Sequence, residues 1–392
     1  MTGYQELASA CLTMGAMQFL TTGLFRRKLR AEFSGARSEH HPPVSVIVPC
    51  KGTGRYFRRN VESMLAQDYP GRIEWIFVAP SASDPAHAAL REILSAAIGR
   101  PRLLVSDAHP TRCSEKIQNV LCGIDHADAA SHVLLLAEVD LHVVGDWARR
   151  LVAPLADPRV GVATTQMLYA PEDPGLAGFL RKVWMGFALS YEALFPFVMG
   201  QSYAIRRDDF VKLGVREAWA GSLSEDGTLD RLIRRAGLTV RFVGRSVPVS
   251  SESCSWPQLF AQLNRWVFIG KVYVRGTWLL CLALAAAKVW LLSRLLWTGN
   301  WGLLLWFWGL DMANLWAVFR TIDSFFADRL EDEHPAYHRR PILAALCAPL
   351  LLGLVAANFA ASIFMRRTSW GGYIYRVRGP DAVEIENAAT RA

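Results

Sequence analysis

Apolar and polar residues are segregated along this chain rather than interleaved. A run from Leu7 to Phe25 is almost wholly apolar, long enough as a helix to cross a hydrocarbon core of about 30 Å. A polar stretch over 31–43 follows and ends in Pro42-Pro43, the composition of a linker. Short apolar blocks then predict strands at VSVIVP (from Val44), IEWIFV (from Ile73), Leu103 to Val105, and VLLLA (from Val133). Between them, Asn60 to Gln67 and Ala86 to Ala97 carry helical periodicity. Strands alternating with helices predict a mainly parallel α/β sheet, with ligands bound at the strand C-terminal ends.

Past Gly161 the blocks VGVATTQMLYA and TVRFV make the expected sheet mixed. Phe179 to Met199 is apolar but interrupted by Arg181, Lys182 and Glu192. It reads either as a core helix or as a helix lying on a membrane surface. After Trp266 the chain turns apolar again, with expected spans over 276–293, 299–319 and 341–364. Lys288 and Asp311 fall inside two of them, where a charge is costly and usually paired or functional. The expected organisation is a transmembrane anchor with its basic flank (1–30), an α/β domain (31–258), an interfacial helix (259–275), C-terminal transmembrane helices (276–365) and a polar tail (366–392).

Composition agrees: 52% of residues are hydrophobic while 20% are charged, a mixture one chain holds only by separating the two classes. Many of the 14 Trp residues lie in the last third, where an interfacial belt would keep one ring edge wet. The net charge of +8 comes mainly from Arg, and the basic residues flank apolar runs: Arg26, Arg27, Lys28 and Arg30 after the first, Arg339 and Arg340 before the last. That is the positive-inside pattern of an integral membrane protein with a cytoplasmic catalytic domain, not the aromatic-interleaved patch of a nucleic-acid binder. Three full C-terminal spans would put the tail outside, whereas Arg366, Arg367, Arg376 and Arg378 favour the cytoplasm. No basic region precedes the first run, against a removable signal peptide. The seven Cys are scattered without CxxC spacing, against a disulfide framework or zinc site.

Chemistry-bearing residues cluster after the apolar blocks. Lys51 follows the first in VSVIVPCKG, and the second leads into PSASDPA with Ser81 and Asp84. Ser114-Glu115-Lys116 opens a helical stretch, where Lys116 could supply compact positive charge to a diphosphate. Glu138-Val139-Asp140 closes VLLLA, and two carboxylates at a strand end suit a hard cation, Mg²⁺ or Mn²⁺. Ser224-Glu225-Asp226 has the form of a capped helix start with acids in its first turn. Gln262, Arg265 and Trp266 of QLNRW share one helix face at i, i+3 and i+4.

Together these blocks resemble family-two glycosyltransferases, closest to the ceramide glucosyltransferase group and its bacterial relatives, from Val44 through Trp266 and into the apolar tail. The resemblance implies a nucleotide-diphospho-sugar transferase domain of GT-A type, an inverting mechanism, UDP-glucose as donor and a ceramide-like lipid as acceptor. It puts a metal on Glu138 and Asp140, the catalytic base at Asp226 beside Glu225, and leaving-group compensation on Arg265. Substrate contacts fall to Lys51, Lys116, Gln201, Gln262 and Trp266. Where the family carries an Asp that holds base and ribose, this chain has Ser81; either the hydroxyl serves, or Asp84 substitutes from the same loop. The segment Trp370-Gly371-Gly372-Tyr373 also resembles the family's C-terminal end. A processive polysaccharide synthase shares the acidic motifs and QLNRW but usually needs more spans, and an inactive nucleotide-sugar-binding scaffold is the reading that Ser81 motivates.

Overall fold

The structure, a computed structural model, describes residues 2–34, 39–107, 109–172, 175–333 and 339–386. The chain begins with α1 (Thr2–Ser34), β1 (Val44–Pro49), α2 (Phe57–Leu65), β2 (Ile73–Ala79), α3 (Pro85–Ser95), β3 (Arg102–Val105), α4 (Glu115–Asp125), β4 (Val133–Ala137) and α5 (Trp147–Val152). It continues with β5 (Val160–Thr165), β6 (Leu168–Tyr169), α6 (Gly175–Glu192), β7 (Ser202–Arg206), α7 (Arg207–Lys212), α8 (Val215–Trp219), α9 (Glu225–Arg235), β8 (Thr239–Phe242) and β9 (Val249–Ser250). The remainder is α10 (Trp256–Tyr273), α11 (Arg275–Trp297), α12 (Trp301–Glu333), α13 (Pro341–Leu346), α14 (Ala348–Phe364), β10 (Arg367–Trp370), β11 (Tyr373–Gly379) and β12 (Ala382–Glu386). Two compact units result. One is helical (1–34, 169–195 and 253–365); the other is built on sheets (35–168, 196–252 and 366–392).

In the sheet unit, seven strands run in the order β3-β2-β1-β4-β7-β5-β8. β1 is parallel to β2 and β4, β2 to β3, and β5 to β8, while β7 is antiparallel to both its neighbours. β4 and β5 are buried at every position and β1 at all but Pro49, so their sequences read as continuous apolar blocks covered on both faces. β8 lies at the edge and alternates exposed with buried residues. α4 and α9 contribute Ile117, Val120, Leu229 and Ile233 to the core formed with Leu134 and Leu136 of β4 and Tyr203 and Ile205 of β7. α4 approaches so closely that a Cβ at Gly123 would stand 2.5 Å from Ile47 Cγ2.

The segment expected as a polar tail is ordered through Glu386 as an antiparallel sheet, β10-β11-β12, and groups with the sheet unit. Tyr375, Val377 and Val383 give it a buried face.

The helical unit holds three helices long and apolar enough to cross a membrane: Gly3–Ser34, Arg275–Trp297 and Trp301–Ala327. α1 runs on through the basic flank and into the expected linker, of which 35–38 lie outside the described residues. Nothing between the apolar run and the basic run breaks a helix, so the change in hydropathy there does not mark the helix end. The span expected over 341–364 is corrected: it is two helices, α13 and the 17-residue α14, separated at Cys347. Pro349 explains the break, since it offers no N–H to the preceding turn and its ring crowds that turn's carbonyl. Leu7 and Cys11 pack with Leu291, Leu295, Leu304 and Phe307, whereas Leu280, Trp290, Leu305 and Trp306 face outward. α6 buries Phe179, Leu180, Val183, Met185 and Leu189 together with Arg181 and Glu192, which makes it a core helix of this unit. None of the seven cysteines is in a disulfide.

Candidate active site

Lys116 is the centre of the polar cluster in the sheet unit. Ser114 caps α4, its hydroxyl accepting from the Ile117 N–H at 3.4 Å, and so places Lys116 in the first turn. The ammonium lies 2.6 Å from Glu138 Oε1 and 2.5 Å from Glu225 Oε1, and donates to the Gly200 carbonyl at 2.9 Å. Glu138 is the first residue past β4. Its N–H donates to the Gln201 carbonyl at 2.9 Å, extending the antiparallel β4–β7 ladder that pairs Ala137 with Ser202. Glu225 and Asp226 form the first turn of α9 behind the N-cap Ser224.

Gly200 is where these elements cross. Its N–H donates to Asp226 Oδ2 at 2.8 Å while its carbonyl receives Lys116. A Cβ there would stand 2.7 Å from Glu225 Oε1 and 2.8 Å from Asp226 Oδ2, so the close approach requires glycine. Asp226 Oδ1 accepts from the Gly227 N–H at 2.7 Å and from the Ser224 hydroxyl. Three donors therefore fix the orientation of the Asp226 carboxylate.

The charges do not balance. Burial favours the neutral form of Lys116, but Glu138, Glu225 and Asp226 together raise its pKa and keep it protonated. Burial pushes Glu225 up to about 7, with Lys116 pulling it down and Asp226 adding to the rise. Burial, then the nearby Glu138, push Asp140 up to about 7, and Glu252 adds to this. One ammonium thus serves four carboxylates, those of Glu138, Asp140, Glu225 and Asp226. The buried Tyr203 hydroxyl makes no hydrogen bond among the described residues, and burial followed by Glu225 and Asp226 raises its pKa far above the usual phenol range.

Among the described residues no three His, Cys, Asp or Glu side chains are placed to cage a metal. Mg²⁺ and Mn²⁺ do not need such a cage, because one or two carboxylates with waters and substrate phosphates suffice. Asp140 and Glu138 fit that demand. Their oxygens are hard donors, and the uncompensated charge around Asp140 is what a dication relieves.

The other expected site residues have definite places. Lys51 follows β1, 2.6 Å from Glu115 Oε2. Ser81 is hydrogen-bonded to Ser83 at 2.9 Å on the surface. Asp84 caps α3 through the Ala86 N–H at 2.9 Å and also accepts from the Gly52 N–H at 2.8 Å, so it ties the loop after β1 to the loop after β2. Gln201 is buried and its side-chain oxygen accepts from the Met167 N–H at 3.1 Å. In the helical unit, Gln262 on α10 accepts from Arg181 at 3.2 Å and donates to the Tyr169 hydroxyl at 3.2 Å. The Arg181 guanidinium stacks 3.9 Å above the Tyr169 ring. Trp266 packs against Trp184 with centroids 5.6 Å apart, and Arg265 lies one residue before it on the same helix.

The sequence pattern of glycosyl transferase family 21 matches residues 8–383. The chain belongs to that family. The chain is therefore a glycosyltransferase, and its mixed, mainly parallel seven-stranded sheet is of the GT-A type. Solved structures similar to this family member include a mannosyltransferase from Pyrobaculum calidifontis in complex with GDP-mannose and Mn²⁺. That match has 17% identity, covers 91% of this chain and 97% of that one, and has a TM-score of 0.49. Another is glucosyl-3-phosphoglycerate synthase from Mycobacterium tuberculosis with Mn²⁺ and UDP-glucose, at 14% identity, 63% and 82% coverage and a TM-score of 0.40. Within this family 21 chain, Tyr203 lies beside Glu225 and Asp226 without having been singled out by sequence, and nothing local marks it. Gly200 and Glu115 were legible only as neighbours in motifs, Gly200 in the Gly200-Gln201-Ser202 loop that resembles the family's acceptor side and Glu115 beside Lys116, with no role of their own.

Proposed function

We propose that this protein is a membrane-embedded inverting glycosyltransferase that moves a hexose, glucose from UDP-glucose, onto the hydroxyl of a ceramide-like sphingolipid. The observation that carries the reading is the Lys116 cluster, which joins Glu138, Glu225 and the Gly200 carbonyl at one ammonium beside Asp226. An acid-rich centre with a fixed carboxylate base is what single displacement at a sugar carbon needs. Three helices of spanning length in the same chain support a lipid acceptor.

In the proposed reaction the acceptor oxygen attacks the anomeric carbon, forming the new C–O bond as the bond to the nucleoside diphosphate breaks. The hydroxyl proton passes to Asp226, whose carboxylate three donors hold in place. Glu138 and Asp140 would hold the Mg²⁺ or Mn²⁺, whose charge offsets that of the departing diphosphate. Lys116 adds positive charge on the same side. Glu225, fully buried, acts by positioning Lys116. Lys51 is assigned to the donor, as is the Ser81 loop. Asp84 shapes that loop, because its carboxylate already serves two backbone N–H groups. Gln201 holds the loop on the acceptor side. The role proposed for Arg265 is compensation of leaving-group charge, and for Gln262 and Trp266 contact with the acceptor. The basic run Arg26, Arg27, Lys28 and Arg30 supports a cytoplasmic sheet unit.

The test is to incubate the purified full chain in lipid nanodiscs with Mn²⁺, UDP-glucose or other nucleotide sugars, and ceramide or other lipid alcohols. Lipid products are then analysed by mass. A hexosyl-ceramide formed from UDP-glucose is expected; no glycolipid from any pairing would remove the reading.

A further inference from the structure

The side of α4 that carries Glu115 is occupied by the C-terminal sheet. Lys51 sits just past β1, at the strand ends where a parallel sheet receives ligands. Its ammonium is paired with Glu115 at 2.6 Å, donates to the Gly371 carbonyl at 2.5 Å, and lies 5.2 Å from the centroid of the Tyr373 ring. Glu115 in turn is gripped by the same sheet: its N–H donates to the Tyr375 hydroxyl at 3.3 Å, and its carboxylate lies against Gly371 and within electrostatic reach of the Tyr373 hydroxyl. Gly371 and Gly372, at φ of +59° and +86°, make the tight β10–β11 turn that brings a backbone carbonyl to Lys51.

The other turn of this sheet is anchored too. The Asp381 carbonyl lies where a Cβ at Gly221 would come within 2.5 Å, and the Asp381 carboxylate pairs with Arg231 of α9. The sheet is thus pinned to α4 and α9, the two helices whose first turns carry Lys116, Glu225 and Asp226.

We propose that the C-terminal sheet is a working part of the donor site, and that Tyr373 is a positioning residue that sets Lys51, through Glu115, to receive an oxygen of an organic diphosphate in place of the Gly371 carbonyl. The inference rests on the nucleotide-sugar reading above. An ammonium has three donors, and a phosphate oxygen is a stronger partner for one of them than a neutral carbonyl. Glu115 holds Lys51 in position but also competes with the donor for its charge. Within electrostatic reach of Glu115, the Tyr373 hydroxyl weakens that competition and leaves Lys51 freer to engage the diphosphate.

The experiment measures UDP and GDP binding by calorimetry to the full chain in nanodiscs, with donor KM, acceptor KM and kcat alongside. Tyr373→Phe keeps the ring and removes only the hydroxyl. It should weaken UDP binding and raise donor KM roughly fivefold to tenfold, leaving kcat, acceptor KM and melting temperature as in the wild type. Gly221→Ala, which displaces the far turn, should weaken UDP binding in the same direction. Arg378→Ala, which removes an exposed pair with Glu384 on the same sheet, should change nothing. If the wild type binds UDP and both Tyr373→Phe and Gly221→Ala bind it equally well, this inference falls and the proposed function stands. A Tyr373→Phe protein that loses donor affinity, acceptor affinity and melting temperature together would show a merely structural role and also overturn it. A wild type that binds neither UDP nor GDP overturns both.

Discussion

Each unit holds a lysine set against buried carboxylates, Lys116 in one and Lys288 in the other, and their surroundings differ in kind. Lys116 in the sheet unit and Lys288 in the helical unit are almost equally covered, with side chains 13% and 15% exposed. Lys288 meets one carboxylate, Asp311, at 2.5 Å, and the same Asp311 oxygen accepts from Gln18 at 3.1 Å. One turn along, Thr22 donates to Asn314 at 2.8 Å. This pair is neutral and joins α1, α11 and α12, so its charges are spent on each other. Lys116 instead faces Glu138, Glu225 and Asp226, with Asp140 nearby. A balanced pair locks helices together, whereas an acid excess is what the proposed function would use to take up a cation or proton from outside. Burial of a lysine therefore does not mark a functional site; the sign of the charge left over around it does.

Three changes separate the two clusters, the largest effect first. Asp226→Asn preserves size but cannot accept the acceptor's proton, so turnover should fall about a hundredfold to ten-thousandfold with UDP affinity kept. Initial rates and calorimetry on the same preparation check this, and near-normal turnover would remove Asp226 from the mechanism. Lys288→Met leaves Asp311 unpaired among spanning helices, at a cost of about 2.5–3.5 kcal/mol. Lower yield of folded protein and a lower melting temperature are expected, and adding Asp311→Leu should restore both. A double variant no better than the single one would show that the pair does more than lock the helices.

The smallest effect is on pH dependence. Asp140 and Glu225 have ordinary values of 3.8 and 4.5 and rise to about 7 in the fold. The native protein therefore binds their protons more tightly than the unfolded chain does. Their stabilising contribution is complete below the ordinary values and is lost as pH rises through about 7. The melting temperature of metal-free protein should decline across that window, and the Asp140→Asn variant should decline less. An identical slope in both would place the effect elsewhere.

Much of this architecture was legible in the sequence because covered strands and long apolar helices are local patterns. VSVIVP, IEWIFV and VLLLA read directly as β1, β2 and β4, and Glu138 and Asp140 were found as acids closing a buried strand. The break at Cys347 was not legible, because apolar content stays high through 341–364 and only Pro349 disturbs it. Asp84 was read for its place in the loop after the second strand, and its second role as the cap of α3 follows from Asp-Pro-Ala being a helix start. Contacts across long stretches were beyond reach. Gly200 between Lys116 and Asp226, and Tyr375 on the Glu115 N–H from 260 residues away, depend on how the sheet closes and leave no periodic trace.

The central claim is that the Lys116 cluster is short of positive charge and works with a divalent cation and a nucleoside diphosphate, whereas the Lys288 pair is complete. UDP titrations of three full-length proteins in nanodiscs, each with Mn²⁺ and again with excess chelator, measure this directly. Wild type and the Lys288→Met/Asp311→Leu double variant should bind UDP with Mn²⁺ and lose about tenfold or more of that affinity on chelation. Asp140→Ala should bind weakly in both conditions. UDP affinity that is the same with and without Mn²⁺, and the same in Asp140→Ala as in wild type, would contradict the account.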